Sequence, residues 1–250
     1  MAIIIKSDKE IEIMRKAGKI LAEILDILME IAEPGMSTLE LDQVAEKLIL
    51  ERDAVPGFKG YQGFPATLCT AVNEVIVHGI PKKDEILKEG DLLTVDCGVI
   101  YQGMYSDSAR SIGIGKISKE KEELIETAYR ALYAAIDIAK PGVHLGEISK
   151  TIGKTITEAG FYVIPDLTGH GVGSNLHEDP IIPNYDDGNR GPILKKGMTL
   201  AIEPIFSSGT NQMVTLEDEW TIVTKDRSCA VQAEHTILIT QDGSEILTTT

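Results

Sequence analysis

Two Pro-Gly pairs, Pro34-Gly35 and Pro141-Gly142, stand 107 positions apart, and each ends one amphipathic helical pattern and precedes another. In the first half Ile11, Met14, Gly18, Leu21, Leu25 and Leu28 recur every three to four residues, with charge between them. After the stop, Ser37-Thr38-Leu39-Glu40 reads as a capping box, and Leu41, Val44, Leu48 and Ile49 mark a second helix. In the second half Ser118 opens a helix carrying Leu124, Ala128, Leu132, Ala135 and Ile136. Leu145, Ile148, Ile152 and Ile156 then mark another, which ends at Gly160. At the same offset Glu40 matches Glu147 and Leu41 matches Ile148, so the chain reads as an internal duplication of a helix-helix-strands unit.

After each helix pair the apolar period shortens to two. Residues 91–99 and 105–114 flank a turn near Tyr101 to Gly103 and predict a β-hairpin. Residues 198–206, 220–224 and 234–240 predict further strands, while 55–65 and 184–197 read as Pro- and Gly-rich loops. No linker divides the halves. The expectation is α+β, one domain over 1–250 with halves of roughly 1–115 and 116–250 around a shared sheet, helices on one face.

Composition excludes several classes. With 39 acidic against 24 basic residues the net charge is −15, unlike the basic stripe of a nucleic-acid binder or of a protein held on an anionic membrane. No apolar run approaches a membrane span, and residues 1–5 are too short for a secretory signal. Three cysteines, Cys69, Cys97 and Cys229, form no CxxC and fit reduced thiols in a cytoplasm better than a disulfide framework.

The strands carry acids that a core should not tolerate. Asp96 sits inside LLTVDCGV, Asp107 in the partner strand, Glu203 inside TLAIEPIF and Glu234 at the head of EHTILIT. An ionised carboxylate in a buried strand is costly unless it is paired or binds a metal. A turn near Tyr101 to Gly103 sets Asp96 opposite Asp107 or one diagonal step away, on the same face of the sheet. Such a pair repels unless a proton or cation lies between. His78, His170 and His177 lie in strand ends or Gly-rich turns; His144 reads as a surface residue and His235 as a structural one. Four carboxylates with imidazole suit two divalent ions sharing bridging ligands, and such a pair activates water for hydrolysis. A structural calcium or magnesium site is the alternative, disfavoured because neither ion prefers imidazole.

The segments NEVIVHGIP, DCGVIYQGMYSDSAR, GHGVGSNLHEDP, GMTLAIEPIF and EHTILIT, in this order and spacing, resemble type I methionine aminopeptidases, and the similarity runs from IEIMRKAG to the closing EIL. The resemblance implies the pita-bread fold, two pseudo-symmetric halves around an antiparallel sheet. It also implies that Asp96 chelates one metal, Asp107 and Glu234 bridge two, and His170 and Glu203 complete the coordination of the second metal. Glu203 would serve as general base, His177 would bond the scissile carbonyl, and His78 would contact the peptide nitrogen. The methionine pocket would comprise Tyr61, Phe64, Cys69, Leu176 and Trp220. The metals would be cobalt, manganese, iron or zinc. The substrate would be a nascent chain or peptide whose initiator methionine precedes a small residue; Met1-Ala2 of this chain is itself such a start. A cytoplasmic monomer is implied, and transient ribosome contact suits an enzyme that meets nascent chains.

Three departures from the family pattern bear on the pocket. Leu176 stands where some members have an aromatic residue, Ala233 leaves space behind Glu234 where an aromatic is common, and Glu219 replaces a frequent glycine and adds a charge beside Trp220. The rivals are the X-prolyl aminopeptidases and prolidases, which carry a further N-terminal domain. Here the pattern begins within the first twenty residues. A type II enzyme would carry a helical insertion, for which the 33 positions between His170 and Glu203 leave no room. A non-catalytic binding protein on this fold would be expected to have lost ligands.

Overall fold

The computed structural model describes residues 3–250, so Met1-Ala2 lies outside the described residues. Helix α1 (Asp8–Ile31) starts at a capping box in which Ser7 accepts from the Glu10 amide while the Glu10 carboxylate accepts from Ser7. Ser37 and Glu40 make the predicted box at α2 (Thr38–Leu50). Strands β1 (Val55–Pro56), β2 (Leu68–Val72), β3 (Val75–Val77), β4 (Leu92–Tyr101) and β5 (Met104–Gly113) complete the first half. Then come α3 (Lys119–Ile138), capped by Ser118, and α4 (Leu145–Glu158). His144 takes the cap position that Ser37 holds in the first half, and its side chain makes no cap bond.

The repeat extends to backbone pairing. Ser37 bridges Ile86 and His144 bridges Ile193, each 107 positions on. Strand β1 pairs β4 at Val55↔Ile100. At the same offset β6 (Tyr162–Val163) pairs β10 (Ile205–Ser207) at Tyr162↔Ser207. The remaining strands are β7 (Thr168–Gly171), β8 (Glu178–Pro183), β9 (Thr199–Ile202), β11 (Met213–Thr215), β12 (Ile222–Thr224), β13 (Ala230–Gln232), β14 (His235–Ile239) and β15 (Ser244–Ile246). The largest sheet runs β15-β14-β9-β7-β8, and all its pairings are antiparallel.

Alternation along the central strands separates core from cleft. Leu93, Val95, Cys97 and Val99 of β4 pack with Leu21, Leu25, Leu41 and Ile49 of the first helix pair. At the repeat offset Leu200, Ile202 and Phe206 pack with Leu132, Ile148 and Ile152 of the second. Each such fully buried aliphatic side chain contributes about 1.5–3 kcal/mol of transfer free energy. The opposite face of the strands is left for Asp96 and, 107 positions on, Glu203.

The hairpin turn is two residues long, with Gln102 at φ 47° and Gly103 at φ 83°, the left-handed pair that matches strand twist. It sets Gly98 opposite Asp107 and Asp96 opposite Ala109, so Asp96 and Asp107 are diagonal neighbours, as expected. Elsewhere the predicted strands break at functional residues. The segment 198–206 divides into β9 and β10 around Glu203-Pro204, where proline has no amide to donate. The segment 234–240 loses a residue at each end, because Glu234 turns its amide to Ala109 of β5 and Thr240 donates its amide to the Gly243 carbonyl. The segment 220–224 begins only at Ile222, because the Asp218 carboxylate takes the amides of Trp220 and Thr221 into a turn. No helix among the described residues is long and apolar enough to cross a membrane.

Candidate active site

One cleft of about 510 Å³ is lined by every residue singled out as a ligand, a catalytic group or a pocket wall. Its floor is the carboxylate face of the strands. Asp96 is flanked in register by Ala109 of β5 and Cys69 of β2, which places Cys69 beside it on the same face. Asp107 is tied across to the second half, its amide donating to the Thr236 hydroxyl and its carbonyl accepting from it. The Ser108 hydroxyl donates to the Glu234 carbonyl, and through these bonds β5 brings Asp107 and Glu234 together.

His170 enters from β7 between two glycines that permit close strand approach. A Cβ at Gly169 would lie 2.5 Å from the Ala201 oxygen, and one at Gly171 would lie 2.3 Å from the Asp179 oxygen. The Nδ1 of His170 is 2.9 Å from the Gly171 carbonyl. A carbonyl only accepts, so Nδ1 carries the proton and Nε2 presents a lone pair to the cleft. That Nε2 lies 3.5 Å from Glu203 Oε1 and 3.8 Å from Asp107 Oδ2. Burial, with His177 nearby, pushes the His170 imidazolium down to about 4, so the ring is neutral near pH 7.

Burial drives the carboxyls the other way. Asp96 is pushed up to about 7, and Asp107, Glu203 and Glu234 are held well above the usual carboxylate range by burial and then by one another's charge. Oδ1 of Asp96, Oδ1 of Asp107 and Oε1 of Glu234 are fully buried with no hydrogen-bond partner among the described residues. One donor atom each from Asp107, His170 and Glu234 lies within 4.8 Å of the others. Buried oxygens without donors, converging with a neutral imidazole lone pair, fit a divalent cation, which would supply the missing positive charge. Asp96 and Glu203 border that trio rather than falling inside it.

The apolar part of the cleft is a cluster of Phe58, Phe64, Ala66, Cys69 and Leu176, with Tyr61 and Trp220 packed against it. Phe64 and Trp220 meet edge to face at 5.1 Å between centroids. His78, at φ 58°, is half-buried with its ring 6.5 Å from that of Trp220. Exposed His177 brings its ring to 4.4 Å from that of His170, and its Nδ1 bonds the Tyr61 hydroxyl at 2.9 Å. Tyr61 therefore contributes a polar tether as well as a wall. Burial lowers the pKa of His177, and that of His78 by burial and then by His177.

The remaining histidines lie outside the cleft lining. His235 is buried against Thr248 and Arg110, a structural residue as expected, and half-exposed His144 donates through Nδ1 to the Gly191 carbonyl. Two of the departures read differently in three dimensions. Ala233 is fully buried in the core with Phe206 and Ile237 and does not line the cleft. Glu219 is exposed at φ 63°, a left-handed position that favours glycine, and does not line the cleft.

Sequence reasoning missed Gln232 and Phe58. Gln232 donates through Nε2 to Glu203 Oε2 at 3.2 Å and to Glu234 Oε2 at 3.5 Å. A polar residue two before Glu234 in an apolar run was a readable signal, since i and i+2 share a face of extended chain. Phe58 lies in a loop without periodicity and gave none.

The model of metallopeptidase family M24 matches residues 12–241. The methionine aminopeptidase of Clostridium acetobutylicum is 46% identical over 246 residues, covering 98% of both chains. Methionine aminopeptidase 1 of Bacillus subtilis is 45% identical, over 98% of this chain and 99% of its own. The crystal structure of methionine aminopeptidase from Thermotoga maritima superposes with a TM-score of 0.98 at 44% identity over 100% of both chains. The prolidase from Pyrococcus furiosus superposes at 0.79 with 29% identity, and the match takes up only 66% of its chain. A family model spanning most of the chain, close relatives of matching length and a shared pita-bread fold around one carboxylate-imidazole cleft agree that the chain belongs to metallopeptidase family M24.

Proposed function

We propose that the chain is a methionine aminopeptidase that releases the initiator methionine from peptides and nascent proteins with a small second residue. The observation that carries this reading is the junction, in one cleft, of a buried carboxylate-imidazole set with unpartnered oxygens and an apolar pocket edged by Phe64 and Trp220. Relatives bearing that name are 45–46% identical to this chain against 29% for the prolidase, which favours them over the prolidases.

Asp96, Asp107, His170, Glu203 and Glu234 would hold two divalent cations, with cellular availability choosing among cobalt, manganese, iron and zinc. When bound, the cations supply Lewis acidity and a docking point for the free α-amine, which restricts cleavage to the chain end. Glu203 accepts a proton at Oε1, since Oε2 already accepts from Gln232, and passes it to the departing amine. With Nδ1 of His177 accepting from the Tyr61 hydroxyl, its Nε2–H is free to donate to the scissile carbonyl oxygen as charge develops there. His78 contacts the peptide nitrogen. The unbranched thioether enters the pocket of Tyr61, Phe64, Cys69, Leu176 and Trp220, where sulfur–aromatic contacts hold it and water is excluded.

Residues 1–250 act as one catalytic domain, a monomer in the cytoplasm, where the free cysteines Cys69, Cys97 and Cys229 stay reduced. Its peptide substrates include nascent chains met transiently at the ribosome. The test is methionine release from Met-Ala-Ser against alanine release from Ala-Pro-Ala, with metal stripped and restored. Metal-dependent preference for Met-Ala-Ser is expected. Equal or better cleavage of the prolyl peptide would overturn the assignment, and activity indifferent to metal would overturn the mechanism.

A further inference from the structure

The loop that carries Leu176 and His177 is anchored on a residue at the far end of the sequence. Lys6 precedes the cap of α1, and its amide donates to the Gly197 carbonyl at 2.8 Å. Its ammonium reaches Glu178 Oε2 at 2.5 Å, and both side chains are only 3% exposed. The other oxygen of Glu178 accepts from the Asn175 amide and the Ser174 hydroxyl, each at 3.1 Å, so one carboxylate gathers the loop onto itself. At the other end of the loop, a Cβ on Gly173 would lie 2.2 Å from Lys6 Cε, so the lysine stem lies against the backbone there. The Gly173 carbonyl accepts from the Tyr105 amide at 2.7 Å. Between these two clamped ends, Ser174, Asn175 and His177 are exposed, while Leu176 is buried in the apolar pocket.

We propose that Lys6 is a positioning residue for the reaction, acting through Glu178 to hold segment 173–178 so that His177 faces the scissile carbonyl and Leu176 closes the pocket. The proposal rests on the peptidase reading above. A buried ion pair is held by its partner's charge, and removing one member leaves an uncompensated ion that must reach water or lose its charge. For Glu178 the route to water is displacement of the loop it gathers. Among the described residues, the side-chain hydrogen bond then holding His177 is the one to Tyr61.

The experiment measures kcat and KM on Met-Ala-Ser, metal content and Tm for Lys6→Met, Lys6→Arg and Lys6→Met/Glu178→Gln, each also combined with His177→Ala. Lys6→Met is expected to lower kcat by about 10- to 100-fold at unchanged metal content, the scale of a misplaced catalytic group. Lys6→Arg is expected to recover most of it. With His177 already replaced by Ala, Lys6→Met should change kcat by less than about twofold, because the two act on one interaction. A rise in KM should persist in both backgrounds, since Leu176 rides on the same loop. Equal kcat losses with and without His177, or full kcat in Lys6→Met, would overturn the proposal. If Lys6→Met does not fold, the double variant leaves no unpaired charge and carries the same comparison. A wild-type protein inactive on Met-Ala-Ser would instead overturn the peptidase reading, so the two failures are distinct.

Discussion

Stripping the divalent cations should make this protein lose stability as the pH rises, and the metal-loaded form should lose less. The buried carboxyls hold protons more tightly folded than unfolded. Their contribution is therefore fully present below the unfolded value of about 4 and disappears as the pH climbs through the folded values. Asp96 alone, held at about 7 against 3.8 for the free group, corresponds to on the order of 4 kcal/mol at about 1.4 kcal/mol per pH unit. For a chain of 250 residues each kcal/mol moves Tm by roughly 2–4 °C, so this loss should be worth about 10 °C in the metal-free form at pH 8. Asp107, Glu203 and Glu234 titrate as one set with Asp96 and push in the same direction. The assay is calorimetry from pH 5 to pH 8 with manganese or with chelator. General repulsion from the net charge of −15 also grows with pH, but it acts on both forms, so the gap between them is the readout. A gap that stays constant or narrows toward pH 8 would refute the claim that buried carboxyl protons and metal ions replace one another.

Glu203→Gln should keep the metal, because Asp107, His170 and Glu234 remain, while kcat falls by about 10²- to 10⁴-fold. Metal analysis with steady-state kinetics checks this, and an unchanged kcat excludes Glu203 as the base. Trp220→Ala removes the edge-to-face partner of Phe64 and should reduce kcat/KM for Met-Ala-Ser by roughly 10- to 100-fold, the worth of about 1.5–3 kcal/mol of apolar burial, with metal content intact. A KM within about twofold of wild type would remove Trp220 from the pocket. Gly98→Ala would place a Cβ 2.6 Å from the Phe58 ring and should cost about 1–3 kcal/mol while raising KM, measured by denaturant unfolding and peptide kinetics. Wild-type stability and KM in that variant would show that Phe58 is free to move.

Much of the fold was legible because its determinants are local. Helical periods named the buried faces of α1 to α4, and Ser37 with Glu40 announced a cap that forms as written. The two-residue turn at Gln102-Gly103 set the hairpin register, and with it the diagonal placement of Asp96 and Asp107. The duplication was visible in two Pro-Gly stops and recurs in matched backbone bridges. What escaped reading is non-local or irregular. The Ser7–Glu10 box was passed over, although its spacing repeats that of Ser37 and Glu40. The turn built by Asp218 moves the start of the strand expected from Trp220 to Ile222. Gln232 and Phe58 entered the cleft unannounced, and nothing local joins Lys6 to Glu178.

By itself the sequence determined which residues were chemically anomalous and which faces they shared within each element. Period, turn length and the cost of a bare carboxylate in a strand act over a few residues and need no partner. The tertiary structure alone decided that these anomalies form one site. The Gly171 carbonyl chose the proton-bearing nitrogen of His170, the Tyr61 hydroxyl engaged one ring nitrogen of His177, and Thr236 and Ser108 stitched Asp107 to Glu234 across the two halves. Those contacts exist only after both helix-backed sheets have packed, because each joins groups whose approach is opposed by chain entropy until the core has closed around them.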